Sequence, residues 1–280
     1  MIRVVAAKGD ERGARTVGKN HETWLANARA NGARGGLLDL SLLWNDEEGL
    51  EALSVAAGPS LKADFGLLEK MRPERELCVV DAAAKFVVDA GLIPDYILTT
   101  DASDKVLAMF DGLPPLPDTR LVANVIASPR VIDNWRGGDI HWFVMANQYY
   151  SRREQRMLQD CHALAAKIGT KLVPGGNVSS VSFSFLAGVR NSKKIHLFGH
   201  DFCWTRPDEF YAGGALQDMA KERIDEETKA GTVKEVDGRG GRRVLTNQSL
   251  ERFARWHEQA ALKTPGRVAN HSSSTILHLG

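Results

Sequence analysis

Where an apolar run breaks off, a glycine, a proline and a serine stand in a row: Ala56-Ala57-Gly58-Pro59-Ser60-Leu61-Lys62. A glycine at the carboxyl end of a strand lets the backbone turn sharply and come close to a ligand. A helix starting there points its N–H groups and the positive end of its dipole at an anion. Ser60 can add a hydroxyl to a phosphate, or it can simply cap the helix. Neither GxxxxGKS/T nor GxGxxG occurs, so this is neither a P-loop nor a dinucleotide fingerprint. A second stretch, Thr99-Thr100-Asp101-Ala102-Ser103-Asp104, also closes an apolar run. Asp101 can hold Mg²⁺, bond a ribose or act as a general base, or it can cap the next turn. In Val173-Pro174-Gly175-Gly176-Asn177-Val178-Ser179-Ser180, two glycines precede an asparagine and two serines. They form a second candidate anion nest, or an ordinary capped helix start. Finally, Gly199-His200-Asp201 follows the apolar Ile195-His196-Leu197-Phe198. An exposed His–Asp pair there can transfer protons or bind a sugar or metal; a structural pair reads the same.

These residues need elements to hold them. Short apolar runs predict strands at Leu53–Ala57, Leu77–Val80, Tyr96–Thr100, Leu121–Val125, His141–Met145 and Ile195–Gly199. Helices are expected at Lys62–Met71, Ala82–Ala90, Arg152–Ile168 and Ser179–Ala187. Strands apolar throughout suit burial on both faces, and their alternation with helices predicts an α/β fold with a largely parallel central sheet. In such sheets the ligand crevice lies at the carboxyl ends of the strands, where the Gly58, Asp101 and Gly199 stretches fall, while the Gly175 stretch opens a helix. Thr232–Val236 and Arg242–Leu245 flank Asp237-Gly238-Arg239-Gly240-Gly241 as a hairpin, and Asn247 to Ser249 cap a helix over Leu250–Lys263. Residues 1–47, polar and only weakly helical around His21 to Ala30, read as a loosely attached N-terminal arm or cap. Residues 48–280 form the main domain.

The 280 residues carry 36 basic and 35 acidic side chains, a net charge of +1 that gives no basic surplus for a nucleic-acid partner. No apolar run approaches the roughly 20 residues that span a bilayer, and the N-terminus stops being apolar too soon for a secretory signal. Three widely spaced cysteines suit a reducing compartment and make no CxxC site. A cytoplasmic protein without zinc or haem is expected. No GxSxG elbow or nucleophilic cysteine context occurs, which favours direct transfer between bound substrates.

In order, Ala57-Gly58-Pro59-Ser60-Leu61, Val80-Asp81-Ala82-Ala83, Ala90-Gly91-Leu92-Ile93-Pro94-Asp95-Tyr96, Asp101, Gly175-Gly176-Asn177-Val178, Leu197-Phe198-Gly199-His200-Asp201 and the Asp237 to Thr246 stretch with Asn270 resemble one family. It is the MptE-like family, named for an archaeal 6-hydroxymethylpterin diphosphokinase. Its domain is also the core of the motility accessory factor flagellin glycosyltransferases. Bacterial sialyltransferases share a comparable Gly-Pro-Ser-Leu stretch. The resemblance runs from about Leu50 to Gly280, and this sequence departs from the signature in having Ala56-Ala57 where its first glycine often stands.

The resemblance implies a Rossmann-like domain that takes the phosphates of a nucleotide donor, a CMP-sugar or ATP. Gly58, Pro59, Ser60, Lys62, Asp81, Gly175, Gly176, Asn177 and Ser179 are its candidate nucleotide-binding residues. Asp101, His200 and Asp201 are its candidate catalytic residues, with Asp101 also the candidate Mg²⁺ ligand. Two reactions fit: transfer of a nonulosonic, sialic-acid-like sugar from CMP to a hydroxyl, or transfer of diphosphate from ATP to a pterin alcohol. The related thiamin pyrophosphokinases carry Gly-Asp-x-Asp-Ser after the corresponding strand. Here the glycine is missing and the acids, Asp101 and Asp104, stand three apart, a thin metal site. Sugar transfer is therefore favoured. Lys62, Arg130 and the two helix starts are candidates to assist the departing phosphate, and a catalytically silent nucleotide- or glycan-binding factor is the third reading.

Overall fold

The computed structural model describes residues 11–146, 156, 159–161, 163–164, 168–206, 209–213 and 215–279. The first half of the chain runs through α1 (Glu11–Gly32), β1 (Leu38–Asp39), β2 (Ala52–Val55), α2 (Leu61–Met71), β3 (Glu76–Val80), α3 (Asp81–Asp89) and β4 (Tyr96–Thr99). Next come α4 (Leu107–Phe110), β5 (Arg120–Asn124), α5 (Pro129–Asn134), β6 (Ile140–Met145) and β7 (Lys171–Leu172). The helix expected over Arg152–Ile168 lies largely outside the described residues. The chain continues with α6 (Val178–Gly188), β8 (Ile195–Phe198), α7 (Ala215–Lys229), β9 (Val233–Asp237), β10 (Arg243–Asn247), α8 (Gln248–Ala261) and β11 (Val268–Asn270).

Among the described residues nine strands form one sheet in the order β1-β6-β5-β4-β3-β2-β8-β11, with β7 also against β6. Every pairing in it is parallel. The reason lies in the side chains: β2, β4 and β8 are buried at every position, so neither face is left for water. Leu53 and Val55 of β2 face α1, α2, α3 and α5 through Trp24, Leu61, Ala84 and Ile132. Ala52, on the opposite face, joins Val181 and Phe185 of α6 and Trp256 of α8. The fold is thus a three-layer α/β sandwich, Rossmann-like, with the chain leaving β2 in one direction through β3 to β6 and returning to its other side at β8.

Asn177 and Asn247 cap α6 and α8, each accepting an amide three residues on, from Ser180 at 3.0 Å and Leu250 at 2.9 Å. The predicted hairpin is present as antiparallel β9 and β10, with Val244 opposite Val236, and α8 follows it directly. The N-terminal arm is held more tightly than its polar composition predicts. Asn27 and Asn31, one helical turn apart, are buried and donate to the carbonyls of Ala102 and Ile126 and of Val125 and Ala127. Those carbonyls lie just past β4 and β5, so α1 is clamped to the carboxyl rim of the sheet, with Trp24 and Ala28 in the core.

Candidate functional site

The four stretches named from the sequence all lie at the carboxyl rim, and the structure gives them different surroundings. After β2, the chain turns through Gly58 and Pro59 into α2; after β8, it turns through Gly199. The Gly58 amide donates to the Gly199 carbonyl at 2.9 Å. A Cβ on Gly58 would lie 2.5 Å from that same oxygen, and one on Gly199, whose φ is +65°, would strike the Ala56 carbonyl. These glycines therefore let two loops close on one another at the point where strand order reverses.

That closure is completed by a carboxylate. Asp201 accepts the Ser60 amide at 2.7 Å and the Ser60 hydroxyl at 2.6 Å. The anion expected at the start of α2 is here the protein's own side chain, and Ser60 donates to it instead of capping its own helix. Asp201 is 1% exposed, and burial raises its carboxyl to about 7 despite the Ser60 bonds. Lys62, on the outer side of α2, pairs with Glu209 at 2.6 Å.

The exposed His–Asp pair predicted from Gly199-His200-Asp201 is corrected by the same geometry: His200 is also 1% exposed. Its Nε2 lies 3.2 Å from the Ser54 hydroxyl, inside the α6 face of the sheet, and its ring stands 5.3 Å from that of His257. Burial holds the imidazole well below its ordinary pKa, with the neighbouring His257 adding to the effect. Neither side chain of the pair reaches solvent, where an acceptor hydroxyl would arrive.

The rim over β3 and β4 differs. Asp81 follows β3 and is buried, accepting the Thr99 hydroxyl at 2.9 Å and the Ala82 amide at 2.8 Å. Burial raises its carboxyl to about 7, and the charge of Asp101 pushes the same way. Asp101, past the end of β4, is exposed. One of its oxygens accepts the Ser103 amide at 2.8 Å, while its backbone carbonyl takes the Ser128 amide at 2.9 Å. Asp104 is committed elsewhere, to the Ser128 hydroxyl at 2.6 Å and Arg130 at 3.2 Å. Among the described residues no three His, Cys, Asp or Glu side chains gather as metal ligands. Asp101 is left as a lone carboxylate donor, a poor fit to a resident Mg²⁺.

Gly175 and Gly176 lead into α6 against α8. A Cβ on Gly175 would strike the Trp256 ring, and one on Gly176, at φ +103°, would lie 2.7 Å from Phe253. The Gly175 amide donates to the Ser180 hydroxyl at 2.6 Å and Asn177 caps Ser180, so this loop is braced from within. Ser179 is buried, but Val178 packs against both cores, placing the start of α6 over the rim. The α2 and α6 starts lie at that rim on opposite faces of the sheet, with Leu61 in one core and Val181 in the other. Sequence reasoning missed Thr99 and Ser128, which position Asp81 and Asp104. Thr99, polar at the end of an apolar run and two residues before Asp101, was the available signal for the first; nothing local marked the second.

Comparison with known proteins comes to the same fold. A family model described as "6-hydroxymethylpterin diphosphokinase MptE-like" matches residues 35–207. Among solved structures, this chain is similar to the MAf glycosyltransferase from Magnetospirillum magneticum AMB-1, with 14% identity and a TM-score of 0.65. The match covers 92% of this chain and 37% of that one, so this chain spans little more than a third of that protein. At that identity the likeness is one of fold. No curated protein matches.

Proposed function

The chain belongs to the MptE-like family, and on that premise we propose that it is a nucleotide-dependent transferase that moves a nonulosonic sugar from a CMP donor to a hydroxyl acceptor. The observation that carries this reading is the contrast among its acids. Of the candidate catalytic residues, Asp101 alone is exposed at the rim, while His200 and Asp201 are buried. Asp101 takes the proton of the acceptor hydroxyl as general base. The acceptor oxygen then bonds to the anomeric carbon of the sugar. The bond from that carbon to the phosphate oxygen breaks, and CMP leaves with the electron pair. In this reading the Val178 and Ser179 amides, which open α6 past Gly176, stabilise the departing phosphate, as helix N-termini do. Gly58, Ser60 and Asp201 serve this arrangement by holding the start of α2 shut.

Diphosphoryl transfer from ATP is the second reading, favoured by the description attached to the family. It requires Asp101 to hold Mg²⁺ with Asp104 released from Arg130. Thermal melting separates the possibilities. CMP and CTP are expected to raise the melting temperature without metal, and Asp101→Asn to preserve that rise while abolishing sugar transfer. A rise with ATP and Mg²⁺ alone would transfer the assignment to the diphosphokinase. No response to any nucleotide would favour a silent binding factor.

A further inference from the structure

A cavity of about 450 Å³ opens between α4 and α5, on the α1 side of the sheet. That lies within the range of roughly 300–1,000 Å³ typical of small-molecule sites. Its wall is aromatic. The Phe110 and Trp135 rings meet edge to face with centroids 6.3 Å apart. The indole is fixed on two further sides: its Nε1 donates to the Gly138 carbonyl at 2.8 Å, and Gly137 lies against its ring so closely that any Cβ would strike it. Such a wall is ordered before a ligand arrives, so little rotamer freedom remains to be lost on binding.

Two guanidinium groups stand at the same cavity. Arg130 reaches Asp104 with one nitrogen, at 3.2 Å, and its side chain is 65% exposed. Arg136 is exposed and bonds no other side chain among the described residues. Asp111 also lines the cavity, so its formal charge is positive by one. A guanidinium fork recognises carboxylates and phosphates through paired N–H bonds.

We propose that this cavity is a binding site for a small organic anion with a flat apolar body. Arg136 and Arg130 take its acid group, and Phe110 and Trp135 take its ring or sugar face. Arg130 is also a candidate to assist the departing phosphate at the rim, but Arg136, Phe110 and Trp135 are assigned no part in either reaction, so the proposal is tested at Arg136.

Phenyl phosphate is the probe, and benzyl alcohol its uncharged counterpart. In amide NMR titrations of the full chain, phenyl phosphate is expected to shift residues 107–113 and 130–136 saturably. Benzyl alcohol is expected to bind at least tenfold more weakly. Arg136→Gln breaks no side-chain bond, should leave the spectrum folded, and should weaken phenyl phosphate at least tenfold; Arg136→Lys should restore part of that loss. Absence of saturable binding, shifts confined to other residues, equal affinity for benzyl alcohol, or unchanged affinity in Arg136→Gln would each overturn the proposal.

Discussion

Asp101 and Asp201 are the same residue type at the ends of two strands in one sheet, and the structure gives them opposite surroundings. Asp101 meets solvent and Asp201 holds Ser60. Asp101→Asn should therefore remove turnover while shifting the melting temperature little, a difference read by assaying transfer and unfolding on the same preparation. Asp201→Asn should do the reverse, and with a pH signature. The Asp201 carboxyl is raised to about 7 in the fold by burial, against an ordinary value of 3.8. The folded state thus binds more protons than the unfolded chain between these values, and stability contributed by the protonated acid is lost as pH rises through that window. An asparagine does not titrate. Relative to the parent, the variant should gain in melting temperature as pH climbs from 4 to 7, and a gap independent of pH would refute the buried, raised acid.

Loop closure at the strand-order reversal belongs to the element scale. Gly58→Ala should cost roughly 1–3 kcal/mol through crowding against the Gly199 carbonyl, and denaturant melts of the variant measure it. Docking of α1 is tested by Asn31→Ala, which leaves the buried Val125 and Ala127 carbonyls without their donor, at a cost of roughly 1–3 kcal/mol. These elements also show what could be read beforehand. The run Ile195 to Phe198 is apolar because helices cover both its faces, and that requirement is local enough to be visible in the residues. The same holds for Asn247 and its capped helix. α7 was not foreseen, because only Ala220 and Ile224 of its described side chains are buried, too few to make a stripe. Pairing of Ser60 with Asp201 joins distant parts of the chain, so no spacing rule announces it. The glycines were legible as necessary, but whether each yields to a ligand or to a neighbouring loop depends on tertiary contact.

For the molecule as a whole, the titrating groups set a sign. Burial lowers His141, His196, His200, His257 and His271, with His257 brought to about 4. Such histidines bind fewer protons in the fold than in the unfolded chain, which protonates near 6.5, so they withdraw stability as pH falls below that value. Asp81 and Asp201, each raised to about 7, act oppositely over the same range, and replacing both by asparagine removes their share. In that double variant the melting temperature should fall between pH 6.5 and 4, as calorimetry across buffers will read. Strand order has a consequence for biosynthesis. β2 lies between β3 and β8, and residues 195–198 leave the ribosome long after residues 52–55. Throughout that interval the nascent chain carries one bare flank of an apolar strand, open to mispairing with other chains. Translation speed over this stretch, and the chaperones that shield it, should therefore govern how much protein a cell recovers in folded form.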